Sequence, residues 1–324
     1  MQKVLRIGTR DSQLAVWQAT WVQSLLKEAG ISSELVYMKS EGDVDTVTPL
    51  YALGVTGVFT KTLDAALLND RIDIAVHSMK DVPVQLAQGI RQAAVLKRAS
   101  TKDIFLYKEE DDLKRLGYIN GTWTTDHLAE NFTIATGSVR RVAQWLNRYP
   151  GHKIDNLRGN VNTRLRKLTE NNWNGAIFAA AGLERINLRP EKSVDLDWML
   201  PAPAQGAVMV VCREGDDLAF NSCQHFNDEA TMLCTRIERD FLSALMGGCS
   251  TPISALAEVK DNQLFFKGNI VSPDGKQKAE VEKTLPLTEA ANIGLIAAKE
   301  ILLKGGQPLV DRIRNKGLTT DGEV

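Results

Sequence analysis

The strongest constraint on the fold is a repeated unit: a short apolar run of strand type, a polar turn, then a helix. It appears first at the N-terminus. Val4 to Ile7 reads as a strand and Gly8-Thr9-Arg10-Asp11-Ser12 as a turn. Leu14, Val16, Trp17, Val22, Leu25 and Leu26 then keep roughly helical spacing up to Gly30, which suits a C-cap. Leu35 to Met38 is the next strand. The unit returns at Phe132 to Thr136 with a helix from Val139, and at Ile154 to Leu157 with a helix through Leu165 and Leu168. It returns again at Ala176 to Ala180, followed by Ala181-Gly182-Leu183-Glu184-Arg185. Such alternation predicts α/β units built on parallel sheets.

Other stretches fill in the plan. Thr60 to Asn69 reads as a helix, and Ala93 to Leu96, Ile104 to Tyr107 and Ala207 to Cys212 read as strands. Lys97 to Asp103 is a polar connector, and Pro201-Ala202-Pro203-Ala204-Gln205-Gly206 is a rigid crossing. Asn227 to Met246 carries helical spacing. Ser254 to Thr284 reads as three strands with a turn at Pro273-Asp274-Gly275-Lys276, and Thr288 to Leu303 as a helix. The expected division is residues 1–100 with 203–222, residues 101–202, and an α+β unit at 223–324 with a three-stranded antiparallel sheet. A chain of 324 residues has room for three domains. Ser40 to Val58 breaks regular periodicity with three glycines and a proline, and is either a surface loop or a gate. Glu109 to Asn131 reads as an acidic insertion without an assigned role.

Composition narrows the function. The chain is 24% charged with a net charge of −1, which argues against a generic nucleic-acid or membrane-surface binder. No apolar h-region follows Met1 and no apolar stretch is long enough to span a bilayer, so a cytoplasmic protein is expected. Cys212, Cys223, Cys234 and Cys249 fit no zinc spacing and are expected to be free thiols. No metal is implied.

Three features carry chemistry. The first is Ile72 to Pro83, a buried strand run ending in His77-Ser78-Met79-Lys80-Asp81-Val82-Pro83. Pro83 holds Val82 extended, so the strand is expected to exit into a loop. Ligands bind outside the carboxyl ends of strands in open α/β sheets, which puts Lys80 and Asp81 at such a mouth. A solvated loop with a local ion pair is the plainer reading.

The second feature is a cluster of arginines. Residues 140–189 hold eight arginines and two lysines against three acids, a local charge of +7 that leaves −8 for the remainder. Arg140 and Arg141, Arg158 and Arg185 follow successive strands, and Arg164 lies one turn into a helix. Cations at helix N-termini oppose the macrodipole, so they are not there for helix stability. They suit a ligand with separated carboxylates. Arg148, Arg166 and Arg189 read as solvating helix faces. No phosphate-cradling glycine motif is present.

The third feature is Cys249, set on Gly247-Gly248 after a helix. By itself it reads as a small structural residue, since no histidine lies nearby to activate it.

His77-Ser78-Met79-Lys80-Asp81-Val82-Pro83 resembles the signature of the porphobilinogen deaminase (hydroxymethylbilane synthase) family. Further segments agree in order. Arg6 to Ser12 with Leu14-Ala15 and Trp17-Gln18-Ala19 is similar to the family's opening. Ser138-Val139-Arg140-Arg141 resembles its double-arginine motif, and Leu157 to Val161 with Thr163-Arg164-Leu165 the next. Ala181-Gly182-Leu183 with Arg185, then Pro203 to Ala207, and finally Gly247-Gly248-Cys249 complete the match over residues 4–252. The chain departs from the pattern at Asp11, Thr56, Gly137 and Asn162, where the family more often has glutamine, lysine, serine and glycine.

The resemblance implies a fold, a reaction and a set of roles. The fold is three domains of α/β class, the first two like type II periplasmic binding proteins. The reaction is stepwise condensation of porphobilinogen, with loss of ammonia, onto a dipyrromethane primer held by a thioether to Cys249. The product is the linear tetrapyrrole hydroxymethylbilane, of porphyrin and haem biosynthesis. Arg10, Ser12, Arg140, Arg141, Arg158, Arg164 and Arg185 would hold substrate and cofactor carboxylates, with Lys80 assisting. Asp81 would steady the cation formed when ammonia leaves. A monomer is implied. The competing readings are a two-lobed sensor of a polycarboxylate, which leaves Cys249 without a task, and a nucleic-acid binder, for which stacking aromatics are missing.

Overall fold

The computed structural model describes residues 3–39, 60–124, 131–245 and 251–318. Ser40 to Val58 with Thr56, the last part of the acidic insertion, and Cys249 lie outside them. In chain order the elements are β1 (Leu5–Arg10), α1 (Gln13–Glu28), β2 (Ser33–Met38), α2 (Lys61–Leu68), β3 (Ile74–Ser78), β4 (Ile90–Val95) and β5 (Asp103–Tyr107). Then come α3 (Glu110–Arg115), β6 (Tyr118–Ile119), β7 (Thr122–Trp123), β8 (Thr133–Ala135), α4 (Val139–Arg148), β9 (Lys153–Asp155), α5 (Val161–Glu170) and β10 (Gly175–Ala179). The remainder is α6 (Ala180–Glu184), β11 (Ser193–Asp195), β12 (Val208–Arg213), α7 (Asp217–Gln224), α8 (Glu229–Ala244), β13 (Ile253–Lys260), β14 (Gln263–Val271), β15 (Lys278–Pro286), α9 (Ile293–Ile301) and α10 (Gln307–Leu318).

Two five-stranded sheets form the α/β part, ordered β2-β1-β3-β12-β4 and β11-β5-β10-β8-β9. The expected parallel pairings are present: β1 with β2 and β3, and β8 with β9 and β10. The sheets are nevertheless mixed. β12 runs antiparallel to β3 and β4, and β5 runs antiparallel to β10 and β11. The reason is the route of the chain. β5 and β12 are the strands by which it enters one sheet directly from the other. A strand arriving at the rim where the parallel strands end, with no crossover helix to carry it back, must run the opposite way.

The two crossings travel side by side. Leu96 N donates to Val208 O at 3.0 Å and Ala99 N to Gly206 O at 3.0 Å. A Cβ on Gly206 would lie 2.6 Å from Ser100 O, and its φ of +86° also favours glycine. One buried carboxylate fastens both crossings to the third unit. Glu238 of α8 takes Arg98 Nη1 and Nη2 at 2.6 and 2.9 Å, Ala204 N at 2.6 Å, and Ala257 N of β13 at 2.7 Å.

The third unit is the expected antiparallel sheet β13-β14-β15 packed on α8 and α9. Alternate residues of β14, among them Leu264 and Phe266, meet Ile237 and Phe241 of α8. A further helix follows the last one the sequence suggests. Around Lys304 and Gly305 the chain kinks, with Gly305 at φ +98°, and α10 continues beyond. The described part of the acidic insertion forms regular structure. Its acids fill the first turn of α3, where the dipole favours them, and β6 and β7 form a hairpin.

Candidate active site

The site grows from the end of β3. Its residues are buried up to His77, because β1 and β12 flank it on either side. Ser78 is fixed by Gln18 of α1, whose Nε2 lies 2.9 Å from the hydroxyl. Met79 to Asp81 then make one turn of 3-10 helix rather than the open loop expected from Pro83. Pro83 acts one residue later: Val82 is extended, at ψ 129°. The turn swings Lys80 and Asp81 to the rim. Among the described residues the Asp81 carboxylate has no hydrogen-bond partner, and Lys80 Nζ reaches Gln205 Oε1 at 3.2 Å.

The facing rim comes from the second sheet. Arg140 and Arg141 open α4 after β8, Arg158 follows β9, and Arg185 follows β10 by way of α6. Because these strands are parallel and adjacent, their ends share one edge. Asp81 is near enough to Arg141 and Arg164 for its charge to act on both guanidiniums. Arg10 ends β1 beside His77, which burial and the Arg10 charge push down to about 4. Ser12 precedes α1 with a hydroxyl that does not cap it.

Asp103, the first residue of β5, is the group that sequence reasoning missed. It is wholly buried and takes Arg140 Nη1 at 2.7 Å and Arg141 Nε and Nη2 at 3.0 and 2.8 Å. Gln205 Nε2 also donates to it, at 3.1 Å. Burial would raise its pKa, but the two guanidiniums overcome this and hold it well below the carboxylate range. The bidentate partner of the double arginine is therefore, in this structure, a carboxylate of the chain itself. An acid heading an otherwise apolar strand, Asp103-Ile104-Phe105-Leu106, was the available signal.

Charge remains in excess. Lys80, Arg140, Arg141 and Arg164 share the charges of two acids, Asp81 and Asp103. Burial and the charge of Arg141 push Lys80 down to about 8, against the pull of both acids. Burial and Arg141 likewise push Arg164 down to about 10, and burial pushes Arg185 to about 10. Arg164 donates no hydrogen bond to a described residue, and the buried Nε of Arg140, Arg164 and Arg185 each lacks an acceptor. Such groups are costly unless an anion meets them. The three arginines expected to be bland are so: Arg166 pairs with Glu170, Arg189 with Glu184 and Asp195, and Arg148 packs over Trp198.

The two rims touch at their outer edge. Asn162 Nδ2 of α5 donates to Gln13 Oε1 of α1 at 2.9 Å, and Arg185 lies over Trp17 at 5.9 Å while Nη2 reaches Gly206 O at 2.7 Å. Two departures from the family pattern gain a meaning here. Asn162 supplies that edge contact. At Gly137 a Cβ would sit 2.6 Å from Leu157 O, so a serine would force the β9 exit to move.

Against known families, residues 5–221 match the model of the porphobilinogen deaminase dipyrromethane-cofactor-binding domain, and residues 232–303 match the family's C-terminal domain. The chain belongs to the porphobilinogen deaminase family. It is 36% identical to the porphobilinogen deaminase of Geobacter sulfurreducens, over 99% of this chain and 98% of the relative. It is 38% identical to the chloroplastic porphobilinogen deaminase of rice, Oryza sativa subsp. japonica, over 96% of this chain and 87% of that one. A solved nutrient-binding protein from Burkholderia cenocepacia aligns with 70% of this chain and 93% of its own at 14% identity, with a TM-score of 0.42, too low to carry any argument. Among the described residues no helix is long and apolar enough to cross a membrane.

The residues of this porphobilinogen deaminase fold fit a dipyrromethane. That group presents an acetate and a propionate on each of two pyrroles. The rim offers dispersed guanidiniums whose buried Nε donors are unmet among the described residues, and a carboxylate, Asp81, that makes no hydrogen bond to a described residue.

Proposed function

We propose that the chain condenses porphobilinogen units stepwise, releasing ammonia, onto a dipyrromethane joined to Cys249, and so makes hydroxymethylbilane. The observation that carries this reading is the Asp81 carboxylate, without a hydrogen bond to any described residue, set against a cationic rim. Arg10, Ser12, Arg140, Arg158, Arg164 and Arg185 take ring carboxylates, with Lys80 adding a buried ammonium. Arg141 spends Nε and part of Nη2 on Asp103 and gives Nη1 to Ile177 O at 2.9 Å. It therefore also keeps the α4 start in place while its charge acts on the ligand.

Porphobilinogen's aminomethyl group, protonated, leaves as ammonia when its C–N bond breaks, and the positive charge is shared between the exocyclic methylene carbon and the pyrrole nitrogen. Asp81, held at the rim by the 3-10 turn, faces that charge and accepts the N–H, so it stabilises the transition state more than the ground state. Once the new C–C bond has formed, the same carboxylate can accept the proton that the attacked pyrrole carbon sheds. The bound dipyrromethane supplies a nucleophilic pyrrole carbon at a fixed tether length. We place the work in the cytoplasm and in a monomer. The three described cysteines, buried and unpaired, support a reducing compartment. We also propose the division 1–100 with 203–222, 101–202 and 223–324.

Intact mass tests the reading. The purified protein should exceed its sequence mass by one dipyrromethane, and Cys249→Ala should remove the excess together with ammonia release from porphobilinogen. Mass equal to the sequence, with porphobilinogen bound but no ammonia released, would point instead to the polycarboxylate sensor.

A further inference from the structure

We propose that Arg239 of α8 is a positioning residue for Asp81. This deepens the reading above and rests on Asp81 being the reacting carboxylate. Arg239 is 9% exposed, and its guanidinium is spent on three consecutive backbone carbonyls. Nη1 donates to Val82 O at 3.0 Å, and Nη2 donates to Pro83 O at 2.6 Å and Val84 O at 3.0 Å. These carbonyls begin at the residue directly after Asp81.

The segment needs an outside anchor of this kind. The 3-10 turn that carries Asp81 is three residues long and is closed by one bond, Val82 N to Met79 O at 3.1 Å. Pro83 has no N–H to offer, so beyond the turn the chain can be gripped chiefly through its carbonyls. A planar guanidinium, with several donors in fixed directions, can span three neighbouring carbonyls. The residue before it, Glu238, binds Arg98, Ala204 N and Ala257 N. Two consecutive residues of α8 thus join the Asp81 turn to both crossings and to β13. The carboxylate is thereby fixed relative to the rim that holds the ring carboxylates. Small misplacements of a reacting group cost rate steeply.

The test compares Arg239→Gln and Arg239→Lys with the parent enzyme carrying its primer. Arg239→Gln should lower kcat about thirtyfold with KM within about twofold, since ring-carboxylate contacts are untouched. Backbone amide exchange of the peptide spanning residues 79–86 should rise in parallel. Arg239→Lys, with one ammonium in place of the fork, should recover most of the loss, to within about threefold of the parent. If Arg239→Gln does not fold, Arg239→Met, which keeps the apolar stem and has no donor, carries the test. Parent-level kcat together with parent-level exchange, in whichever of the glutamine and methionine variants folds, would overturn the proposal. Asp81→Asn separates the two ideas. If it turns over normally, the reading of Asp81 falls and this proposal with it. If it is slow while Arg239→Gln matches the parent, only the positioning role falls.

Discussion

Asp81 and Lys80 are neighbours in sequence with different surroundings, and that difference gives each a separate test. The Asp81 carboxylate makes no hydrogen bond to a described residue, so exchanging it for an amide breaks no hydrogen bond among them. Asp81→Asn should keep the parent's melting temperature and lose on the order of a hundredfold or more in kcat; near-parent turnover would exclude Asp81 from the chemistry. Lys80 is pushed down to about 8 by burial and by Arg141. Its charge therefore fades as pH rises through about 8, and KM for porphobilinogen should climb there, while Lys80→Arg should flatten the rise. Stability moves the other way. The unfolded chain holds this proton up to about 10.5, so the fold gains stability between about 8 and 10.5. At this scale the sequence singled out Lys80, Arg141 and Arg164, which the charge of Asp81 reaches in the structure. It did not show Asp103 or Gln205, since the pairing of Asp103 with Arg141 joins residues far apart in the chain, and no local pattern records it.

Helix α8 carries two consecutive buried charged side chains, Glu238 and Arg239, that reach the other units. Its Glu238 side chain is buried with Arg98 in a two-pronged pair and also accepts two backbone N–H groups. Glu238→Gln would strand the Arg98 charge in the interior. The expected loss is about 3–5 kcal/mol. A thermal scan should show a drop on the order of 10 °C, with kcat measured well below the transition little changed. A melting temperature within a degree or two of the parent would show that the crossings are held by other means. Most elements were legible because apolar spacing is a local property. The misses had physical causes. Before Asp81 a tertiary bond from Met79 N to Ala207 O anchors the start of a 3-10 turn that Pro83 alone would not suggest. Beyond Leu303 a glycine at positive φ ends one helix, and a second, α10, begins directly after the kink. The short helix α7, capped by Asp216 onto Ala219 N, is too brief to show a period.

For the whole molecule, the βαβ pattern was right about the parallel strands and blind to β5 and β12, whose direction is set by the route between sheets. β12 is central in its sheet, between β3 and β4, and its Val208 and Val210 join a core with Leu5, Ile7 and Ala93. This strand comes from residues 208–213, more than a hundred positions after β4. During synthesis, therefore, the first sheet has a gap in its middle until the second is almost complete. A nascent chain stalled near residue 200 should remain protease-sensitive before Val95, and one released past Arg213 should become resistant; early resistance would show that β3 and β4 close without it. The lobe bearing Asp81 would then be finished only after the ribosome has already delivered the arginines it must face.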